Sequence, residues 1–380
     1  FGCNAFVLGQ LKTDETNRRY EEAFAKLFNF ATVPFYWEGA EPVRGELRYE
    51  EGSRDIWRRP PTDRYLPFAA RHGITLKGHP LLWHAYNPPW LPKDAEQLRE
   101  LYRKRFGEIA RRYGDKIAVW DVVNESQVCR ADYPLYSPDR AYVAWAFREA
   151  GRVFPDNSLL MINEVTSFNF LPAEKNPYLA QIRNLLAQGA KIKGIGLQWH
   201  FFRRDALDKY LGGPNSDPGN LLDLYEQFGQ IGLPLFITEI TIPSAGDDGE
   251  SVQAEVVRDH YRLWFGTPAM AGITWWNLGD GTAVNKNENE AKGGLTDEQL
   301  KPKAAYRALD HLINQEWKTR TQIQTDGQGL ARFRGFFGKY QVEVTSGDAS
   351  WQFQINHTRA GEKSHRLPMP PTSPSWRVRP

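Results

Sequence analysis

The feature that most constrains the fold of this chain is an alternation, over residues 1–316, of short apolar segments with longer amphipathic segments. Short apolar runs are typical of buried strands, and apolar residues that recur every three or four positions are typical of helices. The predicted strands are Gly2–Val7, Leu27–Thr32, Ile74–His79, Ile117–Asn124, Leu159–Asn163, Ile192–Gln198, Leu235–Glu239 and Gly272–Trp276. Eight strands alternating with helical sequence predict an α/β fold, a (β/α)8 TIM barrel.

Helical patterns occupy much of the sequence between these strands. The predicted helices are Asp14–Lys26, Asp94–Tyr113, Pro138–Gly151, Ala173–Gln188, Leu221–Ile231, Val252–Trp264 and Lys303–Leu312. We therefore assign residues 1–316 to one barrel domain, which is a usual length for this fold.

The pattern changes after Trp317, where polar and apolar residues alternate and Asp-Gly or Gly-Asp pairs separate the runs. Such runs are typical of short antiparallel strands. They are Thr321–Gln324, Leu330–Arg334, Tyr340–Val344 and Trp351–Ile355. Residues 317–365 are thus predicted to form a small β extension, and we expect it to pack on the barrel because so short a segment has a marginal core. Residues 366–380, with Pro at five positions, are predicted to form an extended tail.

Composition excludes several classes of function. The net charge of +2 gives no global field to hold a polyanion, so we expect no nucleic-acid partner. No apolar run approaches the roughly 20 residues that span a bilayer, so we expect no membrane insertion. The 13 Trp, 16 Tyr and 21 Phe residues suit a ligand that is part apolar and part hydroxylated, such as a sugar. Cys3 and Cys129 can form one disulfide or stay free, and we expect free thiols.

Polar residues cluster at the carboxyl ends of the predicted strands, which form the catalytic face of a TIM barrel. They include His79, Asn124, Glu125, Asn163, Gln198, His200 and Glu239, together with Trp276. Glu125 and Glu239 each end an apolar strand, where a carboxylate is costly unless it is used or paired. Two convergent carboxylates are what the cleavage of a glycosidic bond requires. Asn124 could bind a sugar 2-hydroxyl, and His200 could donate a hydrogen bond that keeps Glu239 ionised.

Five segments in this order resemble glycoside hydrolase family 10, whose best-known members are retaining endo-β-1,4-xylanases. They are Lys77–His84, Trp120–Glu125, Gly194–His200, Ile237–Glu239 and Gly272–Trp276, and the resemblance covers residues 1–316. It implies that Glu125 is the general acid and base and that Glu239 is the nucleophile. It also implies that Asn163 supports the site, and that sugar contacts come from His79, Trp83, His84, Asn124, Gln198, His200 and Trp276. The segment Phe333–Tyr340 resembles C-terminal extensions of plant-type members.

The chain departs from the family where the second strand ends. Most family xylanases carry a Glu-Asn pair and a Lys there, just before a Trp, and these side chains hold the sugar on the non-reducing side. Here the segment is Ala31–Trp37, it is shorter, and Tyr36 stands in place of the Lys. We therefore add Tyr36 to the substrate-binding residues and expect an altered glycone pocket. Decorated xylan oligosaccharides, a β-glucan or exo action stay open as alternatives, as does a non-catalytic sugar-binding protein.

Other candidate residues have simpler interpretations. His79 and His84 are five positions apart and lack a third ligand nearby, so we predict no metal site. Asp121 lies three residues before Asn124, which places it on the other face of a regular strand, where we expect it to anchor the barrel by hydrogen bonding and to stay outside the site. Trp275 and Trp276 face opposite sides, and the family register favours Trp276 for the sugar.

The sequence thus predicts a retaining endo-β-1,4-glycanase acting on xylan. No cofactor is implied, and the only partner we expect is the polysaccharide. We expect a monomer that is secreted or periplasmic. Because the sequence begins at Phe1 with no leader pattern, we expect that a leader or an upstream domain was removed or omitted.

Overall fold

The eight predicted barrel strands form a closed parallel barrel in the computed structural model, which describes residues 1–358 and 361–368. The strands are β1 Gly2–Asn4, β2 Phe30–Pro34, β3 Thr75–His79, β4 Val119–Asn124, β5 Leu159–Glu164, β6 Gly194–His200, β7 Leu235–Thr241 and β8 Met270–Trp275. Each strand pairs with the next in the chain, and β8 closes the barrel by pairing with β1. The TIM-barrel prediction is therefore confirmed. Strand β1 is shorter than predicted because the chain turns at Ala5, whose carbonyl accepts a hydrogen bond from the Leu8 amide.

Helices lie between the strands. They are α1 Asp14–Leu27, α2 Trp37–Ala40, α3 Tyr65–His72, α4 Ala95–Tyr113, α5 Ala141–Val153, α6 Pro177–Ala187, α7 Arg204–Leu211, α8 Pro218–Gly229, α9 Gly249–Gly266, α10 Lys286–Glu290 and α11 Ala304–His311. The single helix predicted over Ala173–Gln188 is wrong, because a 3-10 turn at Ala173–Lys175 precedes α6. The helix restarts at Pro177, where the Asn176 side chain accepts hydrogen bonds from two amides of the first turn.

Aromatic side chains fill the layer between the barrel and its helices. Trp120 of β4 packs against Phe35 and Phe154, with ring centroids 4.9 Å and 5.0 Å away. Two strands further round the barrel, Trp199 of β6 packs against Trp264 of α9 at 5.5 Å. Burial of each such side chain stabilises the fold by roughly 1.5–3 kcal/mol. The strand ends that carry the site therefore rest on a rigid support.

The chain divides into two compact units, one over Phe1–Asp310 and one that begins at His311. A π-helical turn, Leu312–Glu316, opens the second unit. Two antiparallel strands follow, β9 Gly338–Ser346 and β10 Ala349–His357, and together they cover the last two of the four predicted runs.

The strands predicted at Thr321–Gln324 and Leu330–Arg334 are wrong. Neither segment finds a strand partner within residues 1–358 and 361–368. The chain turns between them instead, where the amide of Gly329 donates to the carbonyl of Asp326. Packing of this extension on the barrel stays a prediction, and most of the tail predicted at 366–380 lies outside the described residues.

Two further features concern the whole described chain. Within the described ranges, no helix combines the length and apolar character needed to cross a bilayer. Cys3 and Cys129 are both buried as free thiols.

Candidate active site

Glu125 stands at the first position after β4, where the backbone is held in an unusual conformation. Its φ angle is +55°, which is rare for a residue other than glycine, and its amide donates to the carbonyl of Asn163 at 2.9 Å. Gln198 Nε2 donates to Glu125 Oε1 at 2.9 Å, and Trp83 Nε1 donates to Glu125 Oε2 at 3.2 Å. One side chain of β6 and one from the loop after β3 thus fix the direction of this carboxyl group.

Glu239 lies within β7 and receives hydrogen bonds on both carboxylate oxygens. Asn163 Nδ2 donates to Oε1 at 2.8 Å, and His200 Nε2 lies 3.1 Å from Oε2. Because a carboxylate only accepts, Nε2 of His200 is the donor. The other ring nitrogen of His200 lies 2.9 Å from Thr241 Oγ1, which orients the imidazole.

Asn163 connects the two strands that carry the glutamates. Its Nδ2 also donates to Asn124 Oδ1 at 2.8 Å, and its Oδ1 accepts from Thr238 Oγ1 at 2.6 Å. All of these groups are buried, so each bond replaces a contact with water that folding removed. Asn163 therefore holds Asn124 and Glu239 in a fixed relative position, which is the supporting place that the resemblance implied.

The two carboxyl groups have pKa values shifted in opposite directions. Burial, followed by the negative charge of Glu239, raises the pKa of Glu125 against the lowering effect of the Gln198 hydrogen bond. Burial alone would raise the pKa of Glu239 too, but the hydrogen bond from His200 and the charges of His79, His200 and Lys77 lower it below its usual value. One carboxyl is thus inclined to hold a proton while the other stays ionised.

A buried charged group lies beneath the site and was missed from the sequence. Asp121 Oδ2 accepts a hydrogen bond from His79 Nδ1 at 2.7 Å and forms an ion pair with Lys77 Nζ at 2.7 Å. The prediction that Asp121 faces away from the site is wrong, because the β4–β5 register shifts between Asp121 and Val123 and breaks the alternation of side chains. Asp121 orients His79, whose charge acts on both glutamates.

A cleft of ≈ 340 Å³ opens over the carboxyl groups. Seven predicted site residues line it, namely Tyr36, Trp83, Glu125, Gln198, His200, Glu239 and Trp276. His79, Asn124 and Asn163 are buried and do not line the cleft. Trp276 packs against His79 and His200, with ring centroids 5.8 Å and 5.6 Å away, whereas Trp275 is fully buried.

His84 is a further predicted residue that lies outside the lining of the cleft. Its ring centroid is 5.9 Å from that of Trp83, but His84 does not line the cleft. The role of His84 as a sugar-contacting residue therefore stays a prediction. The described residues also contain no cluster of three or more His, Cys, Asp or Glu side chains suited to a metal ion.

Several lining residues are not among the predicted site residues. Most come from loops, whereas Thr166 and Ser167 lie in a 3-10 turn and Glu288 lies in α10; the full set is Arg58, Arg59, Tyr86, Val165, Thr166, Ser167, Phe202, Val284 and Glu288. Loops carry no periodic pattern that would place them at the mouth of a barrel. Thr166 had one local signal, since it follows the predicted site residue Asn163 closely, and its hydroxyl accepts from the amide of His200 at 2.8 Å.

A closed parallel barrel with two buried, oppositely shifted carboxyl groups at its carboxyl end defines a barrel of the glycoside-hydrolase class. Comparison with known families agrees with this class. The sequence model described as glycosyl hydrolase family 10 matches residues 13–312, and the chain belongs to this family.

Three relatives illustrate how far the similarity extends. The chain is 25% identical over 339 residues to the anti-sigma-I factor RsgI6 of Acetivibrio thermocellus, covering 87% of this chain and 40% of that relative. It is 27% identical over 319 residues to endo-1,4-beta-xylanase B of Thermotoga neapolitana, which covers 80% of this chain and 85% of that relative. The crystal structure of xylanase 10B from Thermotoga petrophila in complex with xylobiose superposes with a TM-score of 0.67 at 24% identity, covering 83% and 94%. The last similarity shows the shared fold.

Proposed function

We propose that this protein is an endo-acting β-1,4-xylanase that retains the anomeric configuration. The observation that carries the proposal is the pair Glu125 and Glu239, which line one cleft and have pKa values shifted in opposite directions. An acid that stays protonated beside a carboxylate that stays ionised is the requirement of a double displacement.

In the first step, a Glu239 oxygen attacks the anomeric carbon, and the bond from that carbon to the leaving oxygen breaks. Glu125 transfers its proton to the leaving oxygen, so the departing sugar is neutral and a glycosyl ester forms on Glu239. In the second step, Glu125 takes a proton from water as the water attacks the same carbon, and Glu239 leaves as a carboxylate. The two carboxyl groups and water supply every proton and electron pair, so neither step requires a cofactor.

Two properties of the site and one relative support a xylan substrate. Tyr36, Trp83 and Trp276 provide aromatic surfaces for sugar rings. Buried Asn124 is placed beside Glu239 through Asn163, where it suits a hydrogen bond to a 2-hydroxyl group. The second relative above also bears the name of an endo-xylanase.

The location proposed for the enzyme follows from the substrate. A polymeric glycan is met outside the cytoplasm, so we propose a secreted or periplasmic enzyme that acts as a monomer with the polysaccharide as its partner. Cell fractionation and size-exclusion chromatography test these two statements.

The test of the function is reducing-sugar release and chromatographic product analysis on linear xylan, glucuronoarabinoxylan and soluble cellulose. Wild type should release short xylo-oligosaccharides rapidly, and Glu239→Gln should abolish release while keeping the wild-type fold by circular dichroism. Release of only the terminal sugar would support exo action instead. Binding without release by the folded wild type would contradict the enzymatic proposal and favour a sugar-binding role.

A further inference from the structure

Two adjacent arginines line the cleft although almost no part of them is exposed. Arg58 is 2% exposed and Arg59 is 7% exposed. A guanidinium is always charged in proteins, and burial of a charge is costly unless a partner compensates for it. Burial lowers the pKa of Arg58 to about 10, which leaves it charged at neutral pH.

The described residues provide no carboxylate that forms an ion pair with either guanidinium. Nearby Arg64, in contrast, pairs with Asp55 at 3.2 Å. Arg58 Nη1 donates to neutral oxygens only, among them Asn277 Oδ1 at 2.8 Å, and Arg59 Nη1 donates to the carbonyl of Arg58 at 2.9 Å. The Nε atoms of both arginines are buried and have no hydrogen-bond partner within residues 1–358 and 361–368.

The backbone that presents these arginines is itself constrained. Arg58 has φ of +61°, a strained conformation for a residue with a side chain. Gln10 stabilises the turn from both sides, since its Oε1 accepts from the Arg58 amide at 2.7 Å and its Nε2 donates to the Ile56 carbonyl at 2.7 Å. Gly39 leaves room for Arg59, because an added Cβ would lie 2.8 Å from Arg59 Cγ.

Aromatic packing joins the arginines to the catalytic end of the cleft. The Arg59 guanidinium lies 3.7 Å from the centroid of the Tyr36 ring. The Tyr36 ring lies 5.5 Å from His79, and His79 lies 5.8 Å from Trp276, in centroid distances. Two glutamates on neighbouring segments interact electrostatically with the arginines. The charge of Glu288 raises the pKa of Arg58, and the charge of Arg59 lowers the pKa of Glu38.

We propose that Arg58 and Arg59 form a subsite for the carboxylate of a uronic acid unit in the glycan substrate. A planar guanidinium matches a carboxylate in two parallel hydrogen bonds, and a neutral pentose offers no group that would compensate these charges. The inference rests on the proposed function, because it assumes that the bound carboxylate belongs to a glycan that Glu125 and Glu239 cleave. The uronic acid can be a branch on a xylan backbone or a unit of the backbone itself.

The first experiment compares two substrates that differ in one functional group. One is a xylo-oligosaccharide with a single glucuronic acid branch, and the other is the same compound with its carboxyl group reduced to an alcohol. Wild type should prefer the acidic compound in kcat/KM by about 10-fold to 100-fold, the effect of a hydrogen bond to a charged group. Arg59→Gln should lose this preference, because the substitution lowers kcat/KM for the acidic compound more than for the reduced compound.

The matched control is Arg44→Gln. Arg44 comes from the same loop region and is exposed outside the cleft, so its replacement removes the same charge without changing the subsite. It should keep the wild-type preference. Equal treatment of both compounds by wild type, or a preference that survives Arg59→Gln, overturns the inference.

The second experiment separates this inference from the proposed function. Isothermal titration calorimetry of the Glu239→Gln variant measures the binding of the same two compounds and of a β-1,4-linked mannuronate oligomer. Tight binding of the branched acid alone identifies a branch subsite, and binding of the mannuronate oligomer identifies a backbone unit. If folded wild type cleaves no glycan but acid binding still depends on Arg59, the proposed function fails and the arginine subsite stands.

Cleavage of xylan with no discrimination in either experiment refutes the subsite alone. Should Arg58→Gln or Arg59→Gln unfold in a thermal melt, Arg59→Lys keeps the charge and removes the planar fork. Arg59→Lys should retain only part of the wild-type affinity for the acidic compound. Wild-type affinity for this compound, or equal affinity for the acidic and the reduced compound, contradicts a geometry with two hydrogen bonds.

Discussion

The hydrogen bond from His200 to Glu239 gives the most quantitative prediction. Its length is 3.1 Å, and it is the largest of the interactions that lower the pKa of Glu239 against the effect of burial. A hydrogen bond to a charged group contributes about 1.5–3 kcal/mol, and 1.36 kcal/mol corresponds to about one pKa unit. In His200→Ala, the burial effect persists while the bond is lost, so the pKa of Glu239 should rise.

The sign of the effect on activity follows from the role of Glu239. The nucleophile acts only when ionised, so a raised pKa moves the acid limb of the kcat/KM profile to higher pH by the same amount. At a pH on the wild-type acid limb, kcat/KM should fall by about 10-fold to 100-fold, and the fall should be smaller on the plateau. Thr241→Val, which removes only the bond that orients the imidazole, should give a smaller shift in the same direction.

The assay measures kcat/KM for an aryl β-xylobioside from about pH 3 to about pH 8, with the fold checked by circular dichroism at each end. An acid limb that stays in place in folded His200→Ala, or moves to lower pH, would refute the reasoning. It would show that another group keeps Glu239 ionised.

Three further predictions follow from the same contacts. Glu125→Gln should lower kcat/KM on xylan by about 100-fold to 10,000-fold. The loss should be much smaller on an aryl glycoside whose leaving group needs no proton. Equal losses in the two steady-state assays would contradict the role of Glu125 as the acid. Asn163→Ala should lower the free energy of unfolding by about 3 kcal/mol in urea titration, because buried partners that include Glu239 lose their hydrogen bonds. A loss below about 1 kcal/mol would contradict the supporting role of Asn163. Burial raises the pKa of Glu164 to about 7, so the folded state holds a proton that the unfolded chain releases near its usual pKa. Stability should therefore decrease by about 3 kcal/mol as pH rises from about 4.5 to about 7, and Glu164→Gln should flatten that slope in the same titration.

The barrel could be predicted from the sequence because its strands and helices have distinct periods of apolar residues. The errors occurred where local chemistry overrides periodicity. Asn176 and Pro177 end and restart a helix within one amphipathic stretch. A register shift after Asp121 brings a residue expected on the far face into contact with His79.

The candidate glutamates could be predicted because each ends an apolar strand on the catalytic face of a barrel. Their supporting contacts could be predicted only in part. Asn163 and His200 were candidates because they too lie at the carboxyl ends of strands, β5 and β6. Arg58 and Arg59 were not visible, because their position depends on a positive φ angle and on a distant Gln10 side chain. Neither feature leaves a pattern in the sequence.

The central claim is that Glu239 forms a covalent bond with the sugar while Glu125 handles the proton. Incubation with a 2-deoxy-2-fluoro-xylobioside carrying a dinitrophenyl leaving group slows the second step, and mass spectrometry of the peptic peptides then locates the sugar. The mass of one fluoroglycosyl unit should be added to the peptide containing Glu239. A label on any other residue, or turnover of xylobiosides with inverted anomeric configuration and no labelled peptide, would contradict it.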